Sequence, residues 1–529
     1  MMKHSSLVIL FFLFSALNLV IFSMAVPIWH GPDEQAHFGQ VANNGEFNRT
    51  LYGLKTLNGE IYDSEVLLGT LRDEKGNNKF TFHPEFRIEY TSTSTGLYES
   101  SLSAIPISRR QTLVSNESTV YPPLFYIVSS YFYKFGYSFD LLNRVYLTRV
   151  FGIMLGVFNL YIVYLFSKEL FPSSKLKQIT LCMMVAFQPM LNFVFATVNS
   201  DNLFNVYFTL CLFLGFLIIK KGLNLSYVLS LVLLLLIGPS IKPQFVLILP
   251  IWMLALLINL FCFWKKRQNR NLTLSLLGIM FFLPIGVIIV QSLFNIVLIS
   301  TLKFLNTGGE KVVTFPTFLR TSLYRTYHET IPWYWGVFDW LGVTLPRVVN
   351  RTLNYLLVIS VIGGFVYVVK QLKLRSLQNL AMYSYLVLAT LIYYFGIVTF
   401  DFLYTNSSGG ISIGMQGRYF FPVLLAHMSL ILIGVESLVP GKWKNRRILL
   451  LKVLGLGFLF LNFIGLYTIL NSYYSFASLE LFFNQLSQYK PIYLKTPFNL
   501  VYMFVHLFLF AWFAYTYLAT RWSKDEANN

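Results

Sequence analysis

Charged residues are scarce in this 529-residue sequence: Asp, Glu, Lys and Arg make up 12% of it, about half their usual share in soluble proteins. Acidic residues are the scarcer, with 23 Asp and Glu against 41 Lys and Arg. A soluble chain of this length would form several domains, and so few charges cannot cover their surfaces. The 55% hydrophobic share and the mean hydropathy of +0.59 indicate an all-α polytopic membrane protein instead.

Several chemical signatures are missing as well. The sequence has no Walker motif, Rossmann fingerprint or zinc-ligand spacing. Its three cysteines fall within apolar runs, so no loop carries a pair that a disulfide would join: Cys182, Cys211 and Cys262. An enzyme that works outside the cytoplasm without a nucleotide site would need a donor delivered in the membrane.

Long apolar runs are abundant. A hydrocarbon core of ~30 Å needs ~20 apolar residues in a helix, which predicts about twelve spans: residues 5–28, 146–166, 178–197, 203–219, 224–240, 244–264, 274–298, 353–369, 379–400, 418–439, 449–471 and 499–519. The first run also imitates a secretory signal with a cleavage site at Ser23-Met24-Ala25. Its length favours a retained anchor.

Basic residues cluster in the short loops on one side of these spans. That side carries 20 of the 41 Lys and Arg but only four acidic residues, which gives it a formal charge of +16 and leaves about +2 on the other side. By the positive-inside rule, the basic side and both termini are cytoplasmic, and we expect the protein in the cell membrane. The charge therefore orients the chain in the bilayer and gives no signal for nucleic acid.

The larger loops fall on the opposite, extracytoplasmic side, where we expect the chemistry. They cover residues 29–143, 299–352, 401–417 and 472–498. The first loop ends in an apolar segment, Tyr121 to Gly136, that starts with a double proline and is interrupted by Lys134. This segment predicts a helix at the membrane surface and not a span.

One acidic motif, residues 30–38, follows the first span directly. Its glycine as cap and its proline at the first helical position predict a helix start. Asp33 and Glu34 then lie in the first turn, where the helix dipole stabilises carboxylates, and Asp33 shares a face with His37. Two interpretations stay open: a capped surface helix, or a carboxylate poised as a general base.

Cations and polar residues recur at the outer ends of several predicted spans: Arg144 and Arg149, Asn199 and Asp201, Lys242, and Gln416, Arg418 and Tyr419. Simpler interpretations exist for each, namely snorkelling cations at the interface, a helix cap for the aspartate, and an aromatic belt around the last arginine. Together they suit transfer of a group from a lipid phosphate, because the leaving phosphate needs cations and the acceptor needs a base.

These motifs resemble the GT-C superfamily of polyprenyl-phosphate-dependent membrane glycosyltransferases, and within it the uncharacterised branch known as DUF family 2142. The resemblance rests on the Pro-Asp-Glu-x-x-His-Phe motif, the long first loop, the Tyr-Pro-Pro-Leu-Phe-Tyr helix, the Arg-initiated second span and the Gln-Gly-Arg-Tyr-Phe motif. It covers about residues 1–430 and predicts a catalytic membrane domain there. Residues 431–529 would then form C-terminal transmembrane helices and a short cytoplasmic tail.

The resemblance implies juxtamembrane helices in the first loop and a donor cavity open toward the bilayer. It implies inverting transfer from a polyprenyl-phosphate sugar to a glycan, lipid or protein acceptor, with Asp33 as the base, Glu34 second and His37 beside them. Further positions that match the family's motifs are Pro122, Pro123, Arg149, Asn199, Asp201, Lys242, Gln416, Arg418 and Tyr419. All of these except Pro122 are candidate substrate-binding residues, as is Tyr121. Our physical inference adds Arg144 and places Lys242 and Arg418 at the donor phosphate.

The sequence differs from the pattern of many superfamily members in two respects. Tyr121 stands where many relatives have His before the proline pair, which puts any contact assigned to that His in doubt. Some members use a divalent cation, but the sequence shows no cluster of three acidic ligands, so we expect no metal and no other cofactor.

The second large loop is the candidate acceptor side, through Arg320, His328 and Trp333. Aromatic side chains with polar neighbours suit sugar rings, and they equally suit an interfacial belt. Two other classes of function stay open. One is a transporter or flippase for a lipid-linked or saccharide substrate, although the repeated halves typical of transporters are not evident. The other is a non-catalytic export or assembly subunit.

Overall fold

The computed structural model describes residues 4–48, 56–71, 79–115, 122–264, 269–281, 312–520 and 522. In the first half of the chain the elements are α1 (His4–Ala25), α2 (Glu34–Phe47), β1 (Thr56–Asn58), α3 (Gly59–Leu68), α4 (Glu99–Ser103), β2 (Leu113–Ser115), α5 (Leu124–Phe135), α6 (Leu141–Leu170), α7 (Lys175–Ala186), α8 (Pro189–Phe195), α9 (Asp201–Lys221), α10 (Leu225–Ile237) and α11 (Ile248–Cys262). In the second half they are α12 (residues 269–281), α13 (Phe315–Arg325), α14 (Ile331–Trp335), β3 (Val337–Phe338), β4 (Val343–Thr344), α15 (Arg347–Lys373), α16 (Leu377–Ser407), α17 (Leu424–Ser437), α18 (Lys444–Tyr473), α19 (Leu479–Ser487) and α20 (Phe498–Ala519).

Within these described ranges, nine helices are long and apolar enough to cross a membrane: α1, α6, α9, α11, α15, α16, α17, α18 and α20. The spans of α11 and α17 also include the helical turn that precedes each of them. The all-α polytopic class is therefore confirmed. The predicted run 178–197 is a broken helix, because α7 and α8 bend by 62° at Gln188, and Pro189 has no N–H with which to continue α7. The run 224–240 corresponds to the shorter helix α10, and 274–298 lies mostly outside the described residues. The number twelve remains a prediction.

Two of the spanning helices, α15 and α17, pack backbone to backbone. A Cβ on Gly363 would overlap the carbonyl of Gly434, and a Cβ on Gly434 would overlap that of Ser360. Small residues permit such close approach between membrane helices. The contact fixes the position of α17, whose two ends carry the two cavities described below.

The first loop forms a layer of short elements over one end of the bundle. Strands β1 and β2 pair antiparallel, with Thr56 opposite Ser115. Helix α5 has 12 residues, so it is ~18 Å long and too short for a ~30 Å hydrocarbon core. It packs on α2 and α6 and leaves Tyr131 and Phe135 exposed, as a helix at the membrane surface would.

The loop between α18 and α20 packs on this layer. Gln488 donates through Nε2 to the carbonyl of Thr91 (3.0 Å), and the Lys495 ammonium contacts Glu99 (2.5 Å). We call this end of the bundle the loop end. The basic end is the opposite one, where α9 and α15 finish with Lys220, Lys221, Lys370 and Lys373.

A buried polar cluster ties the C-terminal helices to α1. Asn18 and Asn462 exchange side-chain hydrogen bonds of 3.2 and 2.8 Å. Asn192 also donates to Asn462 (2.7 Å), and His506 contacts Asn18 (3.0 Å). Helices α1, α8, α18 and α20 therefore share one interior, and the division at residue 430 remains a prediction.

Candidate active site

The acidic motif after α1 is held in a strained conformation. Asp33 is the residue before α2 and has φ 57°, in the left-handed region, and its side chain makes no capping hydrogen bond. The predicted start, with Gly31 as cap and Pro32 as the first helical residue, is therefore wrong: the helix begins at Glu34. A non-glycine residue in this conformation carries a cost of ~1 kcal/mol or more. The backbone thus turns the carboxylate away from its own helix.

That carboxylate meets Arg418, 385 positions along the chain. Arg418 Nη2 lies 2.7 Å from Asp33 Oδ2. The Arg418 side chain is only 7% exposed, whereas that of Asp33 is 38% exposed. Because the guanidinium is buried and the carboxylate is partly open, the pair presents an anion to the space beside it.

Arg418 also keeps unused donors. Its Nε and Nη1 are buried, and the described residues offer them no hydrogen-bond partner. Buried donors are nearly always paired with protein, water or a ligand. The sequence positions this arginine through Gly417, where a Cβ would overlap the backbone nitrogen of Tyr334, so only glycine permits this approach of the two chain segments.

A cavity of about 110 Å³ lies against this ion pair. Its polar lining comes from His30, Asp33, Thr81, Gln416 and Arg418, and its apolar wall includes Phe193, Phe338, Trp340 and Leu341. It is large enough for several water molecules or a small polar group. Sequence analysis singled out Asp33, Gln416 and Arg418, and the structure brings these three to one cavity.

Backbone strain is concentrated around the same cavity. Nine non-glycine residues have positive φ in the described part of the chain. Six of them line the cavity or are adjacent in sequence to a residue that does: Trp29, Asp33, Phe82, Asp339, Trp340 and Leu341. Strained backbone of this kind clusters at functional sites, where the surrounding structure holds it in place.

A second ion pair lies next to the first. Lys242 contacts Asp201, and both side chains are nearly buried. Asn199 links this pair to the acidic motif, since it donates to the Pro32 carbonyl (2.6 Å) and accepts from the Asp201 backbone N–H (2.8 Å). The burial argues against a snorkelling lysine, and Asp201 faces its partner as the first residue of α9.

His37 is the neutral neighbour of both ion pairs. It is buried, its Nδ1 lies 2.9 Å from the Tyr126 hydroxyl, and burial lowers the pKa of His37 to about 4 against the opposing effect of the Asp33 carboxylate. Helix α2 is buried over most of its length, so the surface-helix interpretation is wrong.

Pro123 is the residue before α5 and so precedes Tyr126 by less than one turn, while Tyr121 lies outside the described residues.

Glu34, the other predicted acid, forms an ion pair with Arg149. We call it the closed pair, because neither side chain is exposed. Arg149 donates through Nε and Nη2 to both carboxylate oxygens of Glu34, at 2.8 and 2.7 Å. Its remaining donors go to the carbonyls of Ser23, Val26 and Pro27 at 2.8 to 2.9 Å. Both side chains have 0% exposure, so all five donors of Arg149 are used inside the protein.

Arg144 is likewise committed to the fold. Its side chain is buried and donates to Glu60 (2.5 Å), to the Tyr133 hydroxyl (2.8 Å) and to the Phe139 carbonyl (3.2 Å). These contacts join α6 to α3 and α5. The snorkelling interpretation is wrong for both arginines of α6, since neither reaches the surface.

The predicted acceptor residues do not line the cavity. Arg320 and His328 are exposed, and His328 stacks on Tyr324 with ring centroids 4.3 Å apart. Trp333 is half-buried, with its ring 6.5 Å from Phe82. Tyr419 packs beneath the Arg418 guanidinium at 5.5 Å and does not line the cavity.

Sequence reasoning missed one pair beside the cavity: His30, which lines it, and Asp339, whose neighbours Phe338 and Trp340 line it. Both are fully buried, with His30 Nδ1 3.7 Å from Asp339 Oδ1. Burial lowers the pKa of His30 to about 3 and raises that of Asp339 to about 7. His30 is the first residue of the acidic motif and offered a signal, whereas nothing local marked Asp339.

No three His, Cys, Asp or Glu side chains are grouped as metal ligands in the described ranges, and the absence of a metal remains a prediction. In comparison with known protein families, a family model described as "Predicted membrane protein (DUF2142)" matches residues 15–427. Neither a curated protein nor a solved structure matches the chain.

Proposed function

We propose that this chain, which belongs to the DUF2142 family of predicted membrane proteins, transfers a sugar from a polyprenyl-phosphate carrier to an acceptor at its loop end. The acceptor is a glycan, lipid or protein of the cell envelope, and the reaction takes place on the extracytoplasmic face of the cell membrane. One observation carries the proposal. The Arg418 guanidinium holds the partly exposed Asp33 carboxylate with one nitrogen while two others lack partners in the described structure, beside a cavity.

The proposed step needs a base and a cation, and this pair supplies both. The acceptor oxygen attacks the anomeric carbon and passes its proton to Asp33. The bond between that carbon and the phosphate oxygen breaks, and its electron pair goes to the phosphate. The unused donors of Arg418 receive the negative charge that develops on the phosphate oxygens, as preorganised donors do in transition states. Attack opposite the leaving phosphate inverts the anomeric carbon.

The remaining predicted residues receive different roles. Glu34 and Arg149, like Arg144, hold the first loop on α6 and do not touch substrate, because their donors and acceptors are used within the protein. The ion pair of Lys242 and Asp201 fixes Asn199 and, through it, the strained Pro32-Asp33 turn. Asp33 is the base, because its carboxylate lines the cavity and is partly exposed, whereas His37 is buried and does not line the cavity.

A transporter is the second candidate, and the broken helix favours it. Transporters place substrate at interrupted membrane helices, and α8, after the 62° break, contributes Phe193 and Met190 to the cavity. In that case the same cavity would bind a lipid-linked sugar without cleaving it, and Arg418 would hold the phosphate during passage.

The test compares three forms of the full-length protein in liposomes: wild type, Asp33→Asn and Asp63→Asn. Asp63 is a matched control, because it also pairs with an arginine, Arg109, at the loop end and is 31% exposed. Unlike Asp33, it does not line the cavity. Each is supplied with radiolabelled polyprenyl-phosphate sugars and an acceptor extract. We expect transfer by wild type and Asp63→Asn, and at least ~10²-fold less by Asp33→Asn, the usual contribution of a general base.

Equal transfer by all three proteins would remove Asp33 from the mechanism. Label that crosses the bilayer without a new glycosidic bond would support the transporter. An Arg418→Lys variant separates the roles within the pair, because a loss mainly in KM for the donor lipid indicates phosphate contact.

A further inference from the structure

A second cavity, about three times larger, lies at the basic end of the bundle. Its volume is about 330 Å³, and it is enclosed by the ends of α6, α15 and α17 and the starts of α7, α16 and α18. Helix α6 runs from the loop end to the second cavity: its Arg149 pairs with Glu34, the residue after Asp33, and Leu170, 21 residues or ~31 Å further along, lines the second cavity. The two cavities are therefore on opposite sides of the membrane-spanning region.

Positive charge exceeds negative charge in this second cavity. Lys177, Lys370 and Arg447 line it together with one acid, Glu436. Lys177 Nζ lies 2.8 Å from Glu436 Oε1 and Arg447 Nη1 lies 3.8 Å from the same oxygen. No carboxylate in the described ranges pairs with Lys370. Because Lys177 and Arg447 are nearly buried, the cavity carries a net positive charge that favours a bound anion.

The other lining groups suit a polar head group at a membrane surface. Gln371 and Asn379 offer amide groups joined by a 3.3 Å hydrogen bond, and the rings of Tyr367 and Tyr383 pack 4.9 Å apart. The same stretch of α15 exposes Phe365, Val369 and Leu372, an apolar face directed toward lipid. An amphiphile is therefore accommodated with its head group in the cavity and its acyl chains along α15.

We propose that this cavity binds a phosphate-ester anion, held by Lys177, Lys370 and Arg447, and that an anionic phospholipid of the cytoplasmic leaflet supplies it. Basic pockets between membrane helices on the cytoplasmic side are typical sites for anionic head groups. Arginine offers two donors to a phosphate, and lysine adds a point charge. The inference does not depend on glycosyl transfer at the loop end.

The chain offers matched control residues for the test. Lys370→Gln with Arg447→Gln removes two lining charges. Lys373→Gln with Arg446→Gln also removes one lysine charge from α15 and one arginine charge from α18, but Lys373 and Arg446 are exposed and do not line the cavity. Each purified full-length protein is exposed to equimolar phosphatidylglycerol and phosphatidylcholine, and retained lipid is counted by native mass spectrometry. A parallel arm measures binding of soluble glycerol 3-phosphate.

We expect wild type and the control variant to retain phosphatidylglycerol preferentially, and the lining variant to retain about tenfold less, as loss of charge-assisted hydrogen bonds predicts. The same pattern with glycerol 3-phosphate alone would keep the site and assign it a soluble anion. Equal losses in both double variants, or no preference for phosphatidylglycerol over phosphatidylcholine, would overturn the proposal. If the lining variant fails to fold, the single variants Lys370→Gln and Lys373→Gln, both at exposed positions, decide the question in the same way.

Discussion

Asp33 and Glu34 are adjacent carboxylates, each paired with an arginine from a distant helix, yet the two pairs differ in every respect that matters for chemistry. Glu34 and Arg149 have 0% exposure, and all donors of the arginine are used. Asp33 is 38% exposed, and its arginine has buried donors without partners in the described structure. The residue types alone do not separate a structural pair from a candidate catalytic pair. Exposure and unused hydrogen-bonding capacity do.

The energetic consequences of breaking the two pairs also differ. Removing one partner of a buried pair leaves an uncompensated charge and destabilises a protein by about 3–5 kcal/mol. A pair with an exposed carboxylate contributes about 0–1 kcal/mol, because water replaces the lost partner. The comparison between the two pairs therefore makes opposite predictions for stability and for turnover.

The largest effect is expected from the closed pair. Arg149→Gln removes five hydrogen bonds and leaves Glu34 buried as an unpaired anion, so we expect the free energy of unfolding to fall by about 3–5 kcal/mol. Thermal unfolding of the purified protein in detergent measures it. Arg418→Gln is the comparison variant, and an equal loss of stability in both variants would contradict the distinction between the two pairs.

A third carboxylate, Asp339, sharpens the comparison because it is fully buried 3.7 Å from the uncharged His30 and forms no ion pair with an arginine in the described part of the chain. Burial raises the pKa of Asp339 from 3.8 to about 7, so the folded protein holds this proton more tightly than the unfolded chain. Its contribution to stability is complete below about pH 4 and is lost as the pH rises to about 7, on the order of 4 kcal/mol in total.

Asp339→Asn removes this titration, so we expect the variant to gain stability over wild type as the pH rises through that window. Unfolding temperatures of both proteins, measured from pH 4 to pH 8 in the same detergent, test it. A constant difference between the two curves would show that folding does not shift the pKa of Asp339.

A smaller effect is expected at Gly417, which positions Arg418 for its open pair, the partly exposed ion pair with Asp33. A Cβ at Gly417 would overlap the Tyr334 backbone, so Gly417→Ala should destabilise by about 1–3 kcal/mol and displace Arg418 from Asp33. Gly457→Ala is the matched control, because a Cβ there has no neighbour within 4 Å and alanine is favoured in a helix. Thermal unfolding of Gly417→Ala and Gly457→Ala measures the difference in stability. Similar stability of the two variants would mean that the backbone relaxes around the new methyl group at position 417.

Sequence patterns predicted much of this architecture because hydropathy and charge act locally. Apolar runs placed the spanning helices, the distribution of Lys and Arg separated the two ends, and the double proline located the start of α5. Pairing was beyond such reasoning, because Asp33 and Arg418 are joined only by the fold. For the same reason Arg149, Arg144 and Arg418 looked equivalent as candidate phosphate ligands. The break at Gln188 was accessible through Pro189, but the apolar run masked it.

The smallest change in stability, and the most informative, is expected from Asp33→Asn. The asparagine can still accept a hydrogen bond from Arg418, and water in the cavity that Arg418 lines solvates the remaining guanidinium, so the free energy of unfolding should change by only about 1 kcal/mol. Glu34→Gln, at the neighbouring residue, should destabilise by several times as much because Arg149 stays buried with its charge unpaired. Thermal unfolding of the two variants side by side measures the contrast. If Asp33→Asn proved as destabilising as Glu34→Gln, the open pair would be a structural element like the closed one, and its loss of turnover would no longer indicate a base.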